Sequence, residues 1–495
     1  MSASRVRAAG LAAGPALALL TLWLMPEAYV DAAGQTVTLP WTGRVAAAAA
    51  VWMAVWWMTE AVSVYATALL QLVLFPVVGG MPMREAASPY AHELIYLFLG
   101  GFMLAQALQK WDLHRRLAYL SLLRVGTSPS RIVLAFMLIA AVISMWVTNT
   151  ATTMMLLPVI LSVIALMAER QDDGPATRNF ALCLLLGTAY AATIGGVGTI
   201  IGTAPNVFVV SFLQAQYDLQ ISFVGWMLFA VPLVAVFLPL SWWVLTRGVY
   251  RLDGRAVEGV ADMVAGALRE MGPLSRAERR VAVVFFVTVA LWMTRPLLQP
   301  IGIGEFRPFA GLNDSAIAIA AALSLFVIAD GRSRGGRLLD WEYAARIPWG
   351  LLILFGGGLS LGAAMDRYGV SGFIGAAAAG LGGLPLVLIL LGVVALVIFL
   401  TELTSNTATT ATLVPILAAI APAFGLSAWE LTVPAAIAAS FAFMLPVATP
   451  PNAIVFGSGQ VSIAQMARAG FWLNLLGMIT ITAAAMLLII PMLSP

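Results

Sequence analysis

SMWVTNTATTMMLLP at 144–158 and TELTSNTATTATLVP at 401–415 are the two stretches whose reading decides the fold. Each sets a polar tip, Thr148-Asn149-Thr150 or Ser405-Asn406-Thr407, inside a long apolar run. Seven of the 15 aligned positions are identical, Ser144 falls on Thr401, and Pro158 falls on Pro415, at an offset of 257. The same offset carries LFLGGFMLAQALQKW from Leu97 onto LFGGGLSLGAAMDRY from Leu354. GTAPN at 202–206 and ATPPN at 448–452 follow in the same order, at an offset of 246. Three matches in one order mark a chain built from two related halves.

The chain has 495 residues, of which 61% are hydrophobic and 10% charged, and its mean hydropathy is +0.95. A soluble domain carries about 25% charged residues. So little charge cannot cover a water-facing surface, and most of this surface must face lipid. At about 20 residues per crossing, the length suits about ten to twelve spans. A sequence pI near 9.2 does not indicate nucleic acid here, because the arginines lie in loops between hydrophobic spans. One cysteine, Cys183, excludes an internal disulfide framework and a cysteine zinc site. His92 and His114 are too few, and too exposed in their sequence context, to build a metal cluster.

Full spans are expected near 9–30, 43–58, 61–80, 93–109, 180–212, 223–246, 281–300, 315–329, 348–366, 430–456 and 470–493. The first follows Arg5 and Arg7 with no small-residue cleavage site after it, so it reads as a retained membrane helix. The stretches 131–168 and 385–422 are broken by the two polar tips and read as hairpins that return to the side they entered from. Non-helical backbone at that depth requires burial in protein or a cavity. With the N-terminus inside, only Arg44, Arg84, Arg295, Arg307 and Arg367 of the 26 basic residues remain outside. That is the asymmetry the positive-inside rule requires, and it holds only if each hairpin counts as no crossing. The C-terminus is then external.

Five crossings and one hairpin per half make the second half enter from the opposite side. Such inverted-topology repeats characterise secondary transporters. The division is 1–42 for the first helix and loop, 43–246 for the first repeat, 247–280 for a cytoplasmic linker and 281–495 for the second repeat. Asp262 to Arg280 is expected to form an amphipathic surface helix within that linker.

Hydroxyls and carboxamides at a buried tip are costly without partners. Asn offers an acceptor oxygen and a donor NH2, and Thr or Ser offers a hydroxyl. The oxygens suit a hard cation and the donors suit a carboxylate. One such motif reads equally well as helix–helix glue; two related by the repeat favour a site. GGVGTIIGTAPN at 195–206 and MLPVATPPN at 444–452 break their spans. A broken helix presents carbonyls to a cation and amides to an anion. No Lys or Arg is near either cluster in sequence, so bound cations would have to offset a dianion's charge. Glu60, in WWMTEAV, reads as structural at a tight joint. Glu402 is a candidate to tune cation binding, carry a proton or brace the hairpin. Trp56, Trp57, Trp242 and Trp243 read as interface markers.

These residues, with WWMTEAVSVYATALLQLVLFPVVGG at 56–80, resemble the divalent anion/sodium symporter family of sodium/dicarboxylate–citrate–sulfate transporters over nearly the whole chain after the first span. The family's Ser-Asn-Thr signature is intact at 405–407, while the first copy reads Thr148-Asn149-Thr150. The resemblance implies an all-α polytopic fold with two re-entrant hairpins, a scaffold and a mobile transport domain per subunit, elevator movement and a homodimer. It implies one sodium site from Ser144, Thr148, Asn149 and the Gly202 carbonyl. It implies a second from Thr401, the Thr404 carbonyl, Asn406 and the Ala448 carbonyl. Substrate carboxylates would meet Asn149, Thr150, Asn406 and Thr407, with Thr203, Thr449 and Pro450 nearby. No resident cofactor is implied, and sodium acts as the coupling ion.

The expected function is sodium-coupled uptake of a C4-dicarboxylate such as succinate, malate or fumarate across the cell inner membrane. Citrate or sulfate transport, or sodium-free dicarboxylate exchange, are alternatives within the family. An intramembrane enzyme would need a nucleophile with a base or a metal cluster, and neither is present in any span. A channel fits two closed half-sites less well than alternating access does.

Overall fold

The computed structural model describes residues 3–30, 34–123, 126–170, 174–252, 259–302, 306–332, 335–378 and 383–494. Apart from one short hairpin, Ala28–Val30 paired antiparallel with Thr36–Thr38, the architecture is helical. The helices that matter here are α1 (Ala3–Leu24), α2 (Trp41–Thr59), α3 (Glu93–Lys110), α4 (Leu113–Leu122), α5 (Pro129–Ser144), α6 (Asn149–Arg170), α7 (Pro175–Gly196), α8 (Ala204–Tyr217) and α9 (Phe223–Trp243). The second half adds α10 (Val260–Glu270), α11 (Arg276–Leu298), α12 (Asp314–Val327), α13 (Trp349–Arg367), α14 (Val370–Ala378), α15 (Leu386–Thr401), α16 (Asn406–Ile420), α17 (Ala428–Ala439), α18 (Pro450–Gly457) and α19 (Ile463–Ala484).

Burial sorts these helices as a bilayer would. Helix α7 is apolar on every side and is buried without a break from Phe180 to Gly196, as a helix hydrophobic all round must be. Helices α1 and α11 are as apolar but mostly uncovered, with Trp23 80% and Leu297 71% exposed. Nine helices among the described residues are long and apolar enough to cross a membrane. This is an all-α polytopic membrane protein.

The order of helices repeats. α3–α4–α5–α6 recurs as α13–α14–α15–α16, and the broken pair α7/α8 recurs as α17/α18. Helices α9 and α19 both run into a π-helical stretch, Val244–Val249 and Ala485–Ile489. Four residues join α5 to α6 and four join α15 to α16, so each polar tip lies at a tight helix–helix turn. The first arm of each hairpin, α5 or α15, has 16 residues, about 24 Å at 1.5 Å per residue, too short to cross a hydrocarbon core of about 30 Å. The second arms, α6 and α16 with its continuation to Phe424, are among the nine long enough by length.

Several elements depart from the sequence expectation. The first span covers Ala3–Leu24 rather than 9–30, because Pro26 and the strand at 28–30 end it. The span expected at 61–80 is two short helices, Val64–Thr67 and Gln71–Val77. The Ala68 carbonyl at their junction is taken by the Tyr90 hydroxyl, and the Gln71 carboxamide donates to the Gly357 carbonyl. Asp262 to Arg280 is not one helix. α10 ends before Gly272, whose φ is +67°, and Ser275 and Glu278 form a capping box that starts α11. Residues 253–258 of the expected linker lie outside the described residues. Trp57 is not an interface marker: it is fully buried and its indole donates to the Val64 carbonyl at 3.0 Å. His114 is buried rather than exposed, and its Nδ1 lies 3.1 Å from the Leu108 carbonyl.

Candidate functional site

The N-termini of four half-length or hairpin helices converge on one cavity of about 790 Å³. Its wall holds Thr148, Asn149 and Thr150 at the start of α6, and Gly202 and Thr203 before α8. It also holds Ser405, Asn406 and Thr407 at the start of α16, and Ala448, Thr449 and Pro450 at the start of α18. Helix N-termini carry unpaired amides and partial positive charge. Four of them around one space direct partial positive charge into the cavity without lysine. The two tips, 257 residues apart in sequence, thus share one chamber.

Behind each tip lies a cluster of oxygens. Ser144 is fully buried and its hydroxyl donates to Asn149 Oδ1 at 2.6 Å. Thr401 is fully buried too, with Asn406 Oδ1 at 2.8 Å and the Ala439 carbonyl at 2.9 Å from its Oγ1. One hydroxyl has one proton, so it cannot donate fully to both. Such surplus acceptors in a dry pocket are the donor set a hard cation takes. In both halves a threonine one turn on, Thr153 or Thr410, donates to the asparagine's own carbonyl, at 2.9 and 2.8 Å. That bond fixes the first turn from which the carboxamide projects.

The first cluster is closed by a glycine that the sequence reading did not assign. A Cβ built on Gly196 would sit 2.5 Å from Asn149 Oδ1 and 3.1 Å from the Gly202 carbonyl. Any larger residue would therefore fill the space between the first tip and the first broken helix. Ser144, Thr401 and Thr404 are placed behind the cavity wall. The Thr404 hydroxyl turns away, toward the Leu400 carbonyl at 3.0 Å and Thr409 Oγ1 at 2.6 Å, which leaves its main chain at the tip.

Two acidic residues separate clearly. Glu402 is 3% exposed. Its carboxylate accepts from the amides of Phe443 (2.7 Å), Met444 (2.9 Å) and Leu445 (3.1 Å), and from Asn474 Nδ2 at 2.7 Å. It braces the second tip against the unwound segment before α18. Glu60 sits at the expected joint: it caps α2 in a left-handed conformation, φ 47°, its side chain is half exposed, and it pairs with Arg7 at 3.1 Å.

Glu60 also lies on the cavity rim, as do Tyr65, Gln106, Gln109 and Arg346. Arg346 escaped the sequence reading because it comes from the loop before α13, far from both tips in the chain. It stacks on Tyr343 at 4.2 Å and pairs with Glu342 at 3.2 Å.

The description "Sodium:sulfate symporter transmembrane region" matches residues 16–494. The sodium-dependent dicarboxylate transporter SdcS of Staphylococcus aureus strain USA300 is 39% identical over 477 residues, 95% of this chain and 89% of that protein. SdcS of strain N315 is equally similar. MtrF of Neisseria gonorrhoeae superposes with a TM-score of 0.61 at 12% identity, covering 98% of this chain and 94% of that one. YdaH of Alcanivorax borkumensis superposes at 0.55 and 13% identity, covering 98% of both. At those identities the two structures share a fold with this chain and nothing further. From the family match and the full-length likeness to SdcS, the chain belongs to the sodium:sulfate symporter transmembrane-region family, the divalent anion/sodium symporters.

Proposed function

We propose that this protein is a sodium-coupled secondary transporter that carries C4-dicarboxylates such as succinate, malate or fumarate into the cell. The observation that carries this is the shared cavity, where four helix N-termini meet two asparagine tips backed by buried oxygens. A dicarboxylate is a dianion with two separated groups to bind, and the cavity offers two related tips. Asn149, Thr150, Asn406 and Thr407 would take the carboxylates, with Thr203, Thr449 and Pro450 beside them. Sodium would occupy Ser144, Thr148, Asn149 and the Gly202 carbonyl in one half. In the other it would occupy Thr401, the Thr404 carbonyl, Asn406 and the Ala448 carbonyl. Two cations neutralise the guest where no lysine does, which couples its binding to theirs.

In this reading the two halves are inverted repeats, with residues 43–246 and 281–495 joined by 247–280. The hairpins and broken helices move as a transport domain against a scaffold, in an elevator motion within a homodimer. The cavity rim at Glu60, Gln109 and Arg346 belongs to the arginine-rich end of the molecule. By the positive-inside rule that end is cytoplasmic, so the cavity faces inward, in an inner membrane with the N-terminus inside.

Purified protein in proteoliposomes should take up labelled succinate only with an inward sodium gradient. Equal uptake without sodium, or counterflow with unlabelled succinate in sodium-free buffer, would favour exchange instead.

A further inference from the structure

GTAPN and ATPPN each end in an asparagine that the substrate and sodium sites leave unused. Asn206 and Asn452 are both fully buried. Asn206 Nδ2 donates to the carbonyls of Thr199 (2.8 Å), Val197 (3.1 Å) and Gly196 (3.3 Å). Asn452 Nδ2 donates to the carbonyls of Leu445 (3.1 Å) and Ala442 (3.2 Å). At the offset of 246, Gly196 maps to Ala442, Thr199 to Leu445 and Asn206 to Asn452. The same carboxamide spans the same unwound turn in both halves.

Where a helix breaks, its last carbonyls lose the amides that would have met them one turn on. In lipid no water replaces those amides. The asparagine returns from the next half-helix and supplies the missing donors. Its own Oδ1 has no partner among the described residues in either half, and an orphaned buried acceptor is unfavourable. An apolar residue would avoid that cost if packing alone mattered, so the carboxamide's contribution is its pair of protons.

Those protons set the cation geometry. The Gly196 carbonyl held by Asn206 lies against Gly202: a Cβ built there would sit 2.3 Å from that oxygen. Gly202 supplies the backbone oxygen of the first sodium site, and Gly196 borders Asn149 as well. Freed from Asn206, the unwound carbonyls would rotate toward the nearest positive charge and displace Gly202.

We propose that Asn206 and Asn452 are positioning residues that set sodium affinity, one for each half-site, without touching sodium or substrate. This rests on the sodium-coupled reading above.

The test measures succinate uptake into proteoliposomes against sodium, for wild type, Asn206→Leu and Asn452→Leu. Leucine matches asparagine in branching and in the number of side-chain heavy atoms, and removes both protons and the orphaned oxygen. Asn206→Ser and Asn452→Ser, which keep one donor, are measured in parallel and decide the matter if the leucine variants do not fold. Loss of the brace is expected to raise the sodium half-saturation about tenfold in the leucine variants and about threefold in the serine variants. Succinate KM at saturating sodium and maximal rate should stay within about twofold of wild type, a split that general destabilisation would not give. Unchanged sodium half-saturation in the folded variants, or a change confined to succinate KM, overturns the inference and leaves the transport reading intact. A wild type indifferent to sodium overturns both.

Discussion

The two halves build one kind of half-site with different locks. In the first, the tip between α5 and α6 is tied through a neutral contact: the Thr199 hydroxyl donates to the Met145 carbonyl. In the second, residue 402 stands where Met145 stands in the first, and its carboxylate takes three consecutive backbone amides and Asn474. The asymmetry continues at Gly196, whose counterpart is Ala442, and at Val147, whose counterpart is Thr404. A duplicated scaffold therefore keeps the asparagine and its hydroxyl partner constant while the surrounding brace varies. The tip residues differ little between the halves; the contacts that hold them differ much.

The largest expected effect tests whether the two tips are equivalent. Asn149→Ala and Asn406→Ala should each abolish sodium-driven succinate uptake, with a drop of about 100-fold or more, while size-exclusion profiles stay those of the wild type. Robust transport by either variant would remove that tip from the site.

Glu402→Gln comes next. The swap puts an NH2 among donors, so a buried acceptor set is partly lost, at about 2–3 kcal/mol. Thermal unfolding in detergent should show a clear fall in Tm. Met145→Gln, at the corresponding place in the first half, should leave Tm within a few degrees. Equal falls in the two would mean that the carboxylate is no special lock.

Gly196→Ala against Ala442→Gly isolates the space behind each tip. The added methyl in the first half meets Asn149 Oδ1 at 2.5 Å, with backbone on the other side, so it must displace the Asn149 carboxamide. Uptake should fall about tenfold, a loss of about 1.4 kcal/mol. Ala442→Gly removes a methyl the buried second half already accommodates and should change uptake less than about threefold, the effect of added backbone freedom alone. Similar losses in both would show that the halves share one clearance after all.

Much of this contrast was legible in the chain. The repeat, the two hairpins and the two tips followed from matched motifs at offsets of 257 and 246, because a hairpin tip must gather its polar residues within a few positions. The helix starts at Pro175 and Arg276 lay outside the expected spans because polar first turns hide them from a hydropathy reading, although Ser275 and Glu278 spelled out a capping box. The broken helix at 64–77 was not legible, since its cause is Tyr90 and Gly357, distant in sequence. Arg346 and Gly196 escaped for two different reasons. Arg346 reaches the rim only through the packing of α13, and the need for glycine at 196 is a distance to Asn149 that no local pattern encodes. Glu402 was visible as a buried acid, but its role depends on three amides some 40 residues on.

The smallest effect concerns a hydroxyl with no counterpart. Thr409 Oγ1 lies 2.6 Å from Thr404 Oγ1, whereas Thr152, its equivalent, belongs to the half that carries Val147 in place of Thr404 and has a fully buried Oγ1 with no partner among the described residues. Thr152→Val removes an unsatisfied group and should stabilise by about 1 kcal/mol, while Thr409→Val breaks a satisfied pair and should destabilise by about the same. Opposite shifts in Tm from one substitution at two repeat-related positions would show that the second half was refined around its hydroxyl pair while the first kept the residue without the partner. Shifts of the same sign would mean that the two hydroxyls contribute alike and that the halves do not differ at this pair.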